Sequence, residues 1–108
     1  MRGLVYLTLR LSRELKELFI DYCDKRKTTL SAEIRDFAER FTEGGLGIFS
    51  HSHIKGIAGY ALSYTNFDDK ICIRMGRDAR DGFVSVCEKE GVPASYVLRA
   101  FIECAVGG

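Results

Sequence analysis

Residues 7–15 read LTLRLSREL, and 64 positions later residues 71–79 read ICIRMGRDA. In both stretches apolar side chains alternate with polar ones, which is the pattern of a half-buried β-strand. The correspondence continues without a gap to residues 43 and 107, and its identical pairs include Arg10/Arg74, Arg13/Arg77, Phe19/Phe83, Cys23/Cys87, Ser31/Ser95, Arg35/Arg99 and Phe37/Phe101. We therefore interpret the chain as two copies of one unit.

After each alternating stretch the period becomes helical. In the first copy Ser12 is a predicted N-cap, and the apolar face that follows it is Leu15, Leu18, Phe19, Tyr22 and Cys23. In the second copy Gly76 takes the cap position, and Gly91 is expected to end the helix. A second helix follows, capped by Thr28 or Thr29 in the first copy and carrying Pro93 in its first turn in the second. Each unit is therefore predicted to be strand, helix, helix.

One strand and two short helices cannot satisfy the strand's backbone or bury its apolar face alone. Two such strands, paired antiparallel about a two-fold axis, would place one apolar face on a four-helix core. The sequence thus predicts an α+β, mostly α fold, in which the two units of one chain form an intramolecular pseudo-dimer. We expect a single domain over 1–108, with a first unit at 4–43, a connector at 44–67 and a second unit at 68–108.

The connector has apolar residues at helical spacing over 54–62, and Ser50 or Ser52 could cap a helix there. An extra helix or a turn-rich crossover is expected, and a docking surface for another chain is the alternative. His51 and His53 have no carboxylate or cysteine at ligand spacing, so a loop or helix start is favoured over a metal site.

Composition excludes several classes of protein. The 16 Lys and Arg residues against 15 Asp and Glu give a net charge of +1, which excludes a strongly basic nucleic-acid binder. The four cysteines form no C-x-x-C pair and three of them lie in apolar faces, which favours free core thiols and a cytoplasmic location, with Cys72 facing outward. No segment has the length and apolarity of a membrane helix. No catalytic motif is present, so neither an enzyme, nor a cofactor, nor a small-molecule substrate is expected.

The ordered series resembles the ribbon-helix-helix family, the Arc/MetJ/CopG type of DNA-binding protein. The resemblance rests on the two stretches quoted above, together with SAEIRDF at 31–37 and SYVLRAF at 95–101. The family is homodimeric, and this chain is similar to a tandem version folded on itself, as in the TraY-like proteins of conjugative plasmids. The resemblance implies that the outward strand residues read bases, namely Tyr6, Thr8, Arg10, Lys70, Cys72 and Arg74. It also implies that the start of the second helix holds a phosphate, through Thr29 and Ser31 in one copy and Ser95 in the other.

Physical arguments favour the same function. A two-stranded ribbon fits the major groove, where Arg10 and Arg74 could donate to O6 and N7 of guanine. Arg13 and Arg77 lie next to the ribbon in sequence and are candidates for phosphate contacts. Helix N-termini bind phosphate without net positive charge, so the near-neutral composition is compatible with DNA binding. The alternative interpretation of the same alternation is a solvent-exposed strand face that binds no ligand.

The sequence therefore predicts a sequence-specific double-stranded DNA-binding protein, a transcriptional repressor of a virus or plasmid that acts by occupancy. Alternatives are a DNA-bending accessory protein of plasmid transfer, or an antitoxin-like protein-binding module of the same fold. Because the two strands carry different outward residues, one chain is expected to read a site that is non-palindromic at most positions. Self-association on adjacent sites is expected because one unit buries only about 600–1,000 Å² on DNA.

Overall fold

The computed structural model describes residues 4–48 and 67–107. Its elements follow the order β1 (Leu4–Leu11), α1 (Arg13–Lys25), α2 (Leu30–Gly44), a short 3-10 helix (Gly45–Ile48), β2 (Asp69–Gly76), α3 (Arg77–Glu90) and α4 (Ala94–Gly107). The predicted α+β, mostly helical class is confirmed. The predicted order of strand, helix, helix occurs twice.

The two strands form an antiparallel ribbon, and its register fixes which side chains share a face. Thr8 lies opposite Cys72, with Arg10 opposite Lys70 on one side and Tyr6 opposite Arg74 on the other. Intervening residues such as Leu9 and Ile73 are fully buried. Alternation along each strand therefore divides the ribbon into one core face and one outer face, as predicted.

The helix starts follow local hydrogen bonding. The Ser12 hydroxyl accepts from the backbone N–H of Leu15 at 3.0 Å. The Thr29 hydroxyl accepts from the N–H of Ala32 at 3.1 Å. Both are N-caps, so Thr29 rather than Thr28 fills the predicted position. Pro93 lies just before α4 rather than in its first turn, because its carbonyl accepts the first helical bond from the N–H of Val97 at 3.2 Å.

The turns between paired helices have the same hydrogen bond in both units. The N–H of Thr28 donates to the carbonyl of Cys23 at 3.0 Å, and the N–H of Val92 donates to the carbonyl of Cys87 at 3.1 Å. Each turn also has one residue of positive φ, Lys27 at 59° and Gly91 at 78°. Glycine takes this conformation without steric cost, whereas Lys27 adopts it against a preference of L-residues.

The core lies between the ribbon and the four helices, and its centre is aromatic. Phe37 of α2 stacks on Phe101 of α4 with ring centroids 4.2 Å apart. Phe83 of α3 meets the edge of Phe37 at 6.3 Å, and Phe41 lies 5.8 Å from Phe37. Residues of both units therefore share one core. Such burial is the main stabilising contribution to a domain of this size.

One residue predicted on the apolar face of α1 lies elsewhere. Leu18 is 41% exposed. It borders a surface groove with Tyr22 and Val106, at the edge of the buried stripe formed by Leu15, Phe19 and Cys23. The stripe of α1 is therefore narrower than the periodicity predicts, since an apolar residue at the edge of a helical stripe remains partly in water.

Several predictions lie outside the described residues: the connector helix over 54–62, its caps Ser50 and Ser52, and the histidines His51 and His53. In the ranges that are described, no helix is long and apolar enough to cross a membrane.

Candidate nucleic-acid interface

The outer face of the ribbon carries the residues predicted to read bases, in three opposed pairs. All of them are exposed: Tyr6, Thr8, Arg10, Lys70, Cys72 and Arg74. The central pair is in contact, with the Thr8 hydroxyl 3.6 Å from the Cys72 sulfur. Hydroxyl, thiol, phenol and cationic groups are thus presented to solvent along one continuous surface, which we call the ribbon face.

The two arginines of the ribbon face differ in how they are held. Nη2 of Arg10 donates to the carbonyl of Phe67 at 3.0 Å, so this side chain turns toward the segment before β2. Arg74 is exposed, and its side chain has no hydrogen bond or ion pair with any described residue. None of the five guanidinium donors of Arg74 is therefore engaged by a described residue, whereas Arg10 has one donor already engaged.

Two further arginines, which the sequence analysis did not assign to the site, attach the second helices to the ribbon. Nη1 of Arg99 in α4 donates to the carbonyl of Arg10. Nη1 of Arg35 in α2 donates to the carbonyl of Arg74 at 3.1 Å. These arginines are equivalent at the 64-residue offset, and so are the residues whose carbonyls they bind. Each second helix is therefore fixed to the strand of the other unit.

Arg99 is the more enclosed of this pair and is only 5% exposed. Its guanidinium carbon lies 4.0 Å from the ring centroid of Phe67 and 4.9 Å from that of Tyr96. Burial lowers the pKa of Arg99 from its ordinary value. Stacking between aromatic faces compensates part of the lost hydration of this cation.

The predicted phosphate-contact residues lie at helix starts. Arg13 and Arg77 are the exposed first residues of α1 and α3. Thr29 caps α2, and its hydroxyl proton remains available to donate. Ser31 is half-buried in the first turn of α2. The Ser95 hydroxyl accepts from Nη2 of Arg99 at 3.4 Å, so this serine is tied to the buried guanidinium.

An acidic pair that the sequence analysis did not single out lies beside the Arg10–Lys70 end of the ribbon. Asp68 accepts from the backbone N–H of Arg13 at 2.8 Å through Oδ1. Asp69 lies 3.7 Å from Nε of Arg13 and 3.5 Å from Nζ of Lys16. A bond from the backbone N–H of Lys70, reinforced by Lys16 and Arg13, lowers the pKa of Asp69. The carboxylate of Asp69 is therefore negative at neutral pH.

The cysteines follow the sequence prediction. Cys23 and Cys87 are buried, Cys104 is half-buried and Cys72 is exposed. Burial raises the pKa of Cys23 to about 11, of Cys87 to about 12 and of Cys104 to about 11. The core thiols are therefore neutral and unreactive at physiological pH. Across residues 4–48 and 67–107 no group of three metal-ligating side chains occurs.

No family model, no curated protein and no solved structure matches this chain. The polar groups described above lie on the exposed face of the ribbon and at helix ends, where another molecule can reach them. Donors there are cationic or hydroxylic, which are the groups that contact base edges and phosphate oxygens.

Proposed function

We propose that the protein is a sequence-specific double-stranded DNA-binding protein that inserts the ribbon face into the major groove. The observation that carries the proposal is the two-stranded ribbon itself. Its outer face is exposed along its length and is polar except at Leu4, while its inner face is fixed on the core. A major groove about 12 Å wide admits such a ribbon.

The cations of the ribbon face favour guanine. Arg10 and Arg74 lie on opposite strands, each two positions from the central Thr8–Cys72 pair. An arginine in that position can donate to both O6 and N7 of one guanine. Lys70 and Tyr6 add donors opposite them. The proposal therefore places one guanine contact toward each end of the ribbon. At the remaining positions of the ribbon face the two strands carry different residues and would make different base contacts.

We further propose that the chain is a pseudo-dimer of two ribbon-helix-helix units. Three features support a pseudo-two-fold axis through the ribbon centre. The opposed central residues, Thr8 and Cys72, are themselves equivalent at the 64-residue offset. The two helix–helix turns share one hydrogen-bond pattern. Arg35 and Arg99 make reciprocal bonds to the opposite strand.

The biological role that fits this proposal is repression by occupancy, in the cytoplasm of a cell carrying a virus or plasmid. The proposal assigns binding alone to the ribbon face, so the protein would act by excluding other proteins from its operator. A DNA-bending role at a transfer origin would use the same surface. A protein-binding module of this fold would leave the ribbon face without a nucleic-acid ligand.

A binding selection followed by substitution tests the function. Duplexes are selected from a random pool, and affinities for the selected site are measured by fluorescence anisotropy. Arg74→Ala is expected to cost about 1–3 kcal/mol of specific binding, since a bidentate guanine contact is lost. Arg10→Ala is expected to cost an amount in the same range.

Arg40→Ala is the matched control, since Arg40 is an exposed arginine of α2 that pairs with Asp36 of the same helix. It should leave specific affinity within about threefold of the parent, as an exposed intrahelical pair contributes little. Failure to select any duplex, or Arg74→Ala binding as tightly as the parent, would contradict the proposed function.

The pseudo-dimer predicts a folded monomer. Both strands of the ribbon belong to one chain, and residues of both units share the core. Sedimentation equilibrium at micromolar protein is therefore expected to give 12.1 kDa, with the helical circular dichroism unchanged on dilution. A mass of twice this value, with helix content lost as the species dissociates, would refute it.

A further inference from the structure

We infer that the two ends of the ribbon face contact DNA phosphates unequally, because Asp68 and Asp69 occupy the phosphate-binding groups at one end. This inference rests on the proposed function. It assigns a role in orienting the chain on DNA to two acidic residues that lie outside the base-reading set. The phosphate contacts would concentrate at the end formed by Arg74 and Arg77, which we call the open end.

At the opposite end, an anion is already bound to the start of α1. The carboxylate of Asp68 accepts from the backbone N–H of Arg13 at 2.8 Å, which is the kind of bond a phosphate oxygen would accept there. Asp69 lies within 4 Å of both the Arg13 and the Lys16 cations. Arg10 donates to the Phe67 carbonyl. We call this the closed end of the ribbon face. Except for Lys70, the cations here, Arg10, Arg13 and Lys16, are engaged by other groups of the chain.

The open end lacks this arrangement. The residues equivalent to Asp68 and Asp69 at the 64-residue offset are the uncharged Leu4 and Val5. Gly76, the N-cap of α3, gives no side-chain hydrogen bond to the first turn. Arg74 and Arg77 are exposed, and neither side chain has an ion pair among the described residues. Among the described residues, the helix start that binds a carboxylate in one unit has no such carboxylate in the other, and we assign it to a phosphate.

Charge repulsion separates the ends further. A phosphate that approaches Arg13 comes close to the carboxylates of Asp68 and Asp69, which both lie within 4 Å of Arg13 atoms. Repulsion between these negative charges opposes binding even near a protein surface. At the open end the residue equivalent to Asp68 is Leu4, which pairs with Gly76, is 58% exposed and is uncharged. The chain would consequently bind with a fixed orientation set by the backbone contacts as well as by the base contacts.

Salt dependence of binding to a random-sequence duplex measures the phosphate contacts directly, since the logarithmic slope changes by about 0.9 for each contact. Removing both carboxylates by Asp68→Asn with Asp69→Asn is expected to raise affinity roughly tenfold at 0.1 M salt. It is also expected to steepen the slope of log affinity against log salt by about 0.9, the contribution of one phosphate contact. Asparagine retains an oxygen that can accept from the Arg13 N–H, so the fold is expected to persist, as circular dichroism would verify. Asp21→Asn with Asp24→Asn makes the same change in net charge on the exposed side of α1 and is the matched control.

The arginines provide an independent comparison. Arg77→Ala is expected to reduce the slope of log affinity against log salt by about 0.9, which corresponds to one phosphate contact. Arg13→Ala is expected to reduce the same slope by clearly less. In the Asp68→Asn, Asp69→Asn background the two losses should become equal.

Equal losses from Arg13→Ala and Arg77→Ala in the parent protein, or an unchanged slope in the double asparagine variant, would overturn the inference. The proposed function would stand in that case. A parent protein without salt-dependent affinity for any duplex would instead refute the proposed function itself.

Discussion

Replacement of Phe37 by alanine is expected to lower the free energy of unfolding by about 3–5 kcal/mol. Phe37 is 2% exposed and lies at the centre of the aromatic core. Its ring stacks on Phe101 at 4.2 Å and is close to Phe41 and Phe83, so truncation removes contacts with both units at once. Native domains are stable by only about 5–15 kcal/mol, so this loss takes a large share of the total.

Urea unfolding followed by circular dichroism measures the effect. Leu18→Ala is the control, because it removes a large apolar side chain from the same fold at an exposed position. It is expected to change stability by less than about 1 kcal/mol. Similar losses from the two variants would mean that Phe37 is not at the centre of the core.

The second large effect is expected for Arg99. Its replacement by alanine should destabilise the protein by about 2–4 kcal/mol. The change removes the bond that ties α4 to the carbonyl of Arg10 in β1 and leaves the stacking space beside Phe67 empty. Arg10, whose backbone this bond holds, is a predicted base reader. Specific DNA affinity should therefore fall as well under conditions where the variant remains folded.

Arg35 provides an internal comparison for this prediction, because it makes the reciprocal bond from an exposed position. Arg35→Ala is expected to cost under about 1 kcal/mol, since exposed donors exchange their partner for water. Chemical unfolding of the two variants in parallel would decide the matter. Equal costs would contradict the greater structural role assigned to Arg99.

Local patterns of sequence predicted much of the fold. Alternation along Leu7–Leu11 and Ile71–Met75 predicted which side chains the strands bury. The predicted caps, Ser12 for α1 and Thr28 or Thr29 for α2, indicated where two helices begin. These features depend on neighbours in sequence, so periodicity and side-chain chemistry are enough to find them. The exposure of the ribbon face followed from the same alternation. Its role in base reading stays a prediction.

Other features depend on contacts between distant residues and could not be predicted in this way. Arg99 lies between Leu98 and Ala100 in α4, and only its identity with Arg35 at the repeat offset indicated a shared role. Asp68 and Asp69 lie at positions where the two copies differ, so matching the copies to each other does not single them out. Their contacts with Arg13 and Lys16 arise only when β2 pairs with β1. The exposure of Leu18 likewise depends on how far neighbouring helices extend over α1.

The pairing of β1 with β2 has a consequence for biosynthesis. Every paired residue of β1 finds its partner more than fifty residues later in the chain. At roughly 5–20 residues per second on the ribosome, β1 waits several seconds for a partner strand. During that interval Leu7, Leu9 and Leu11 belong to an unpaired edge on a nascent chain, which is the kind of segment that chaperones bind and that associates with its own copies. The amount of functional protein made in a cell would thus depend on translation speed through the segment between the two strands.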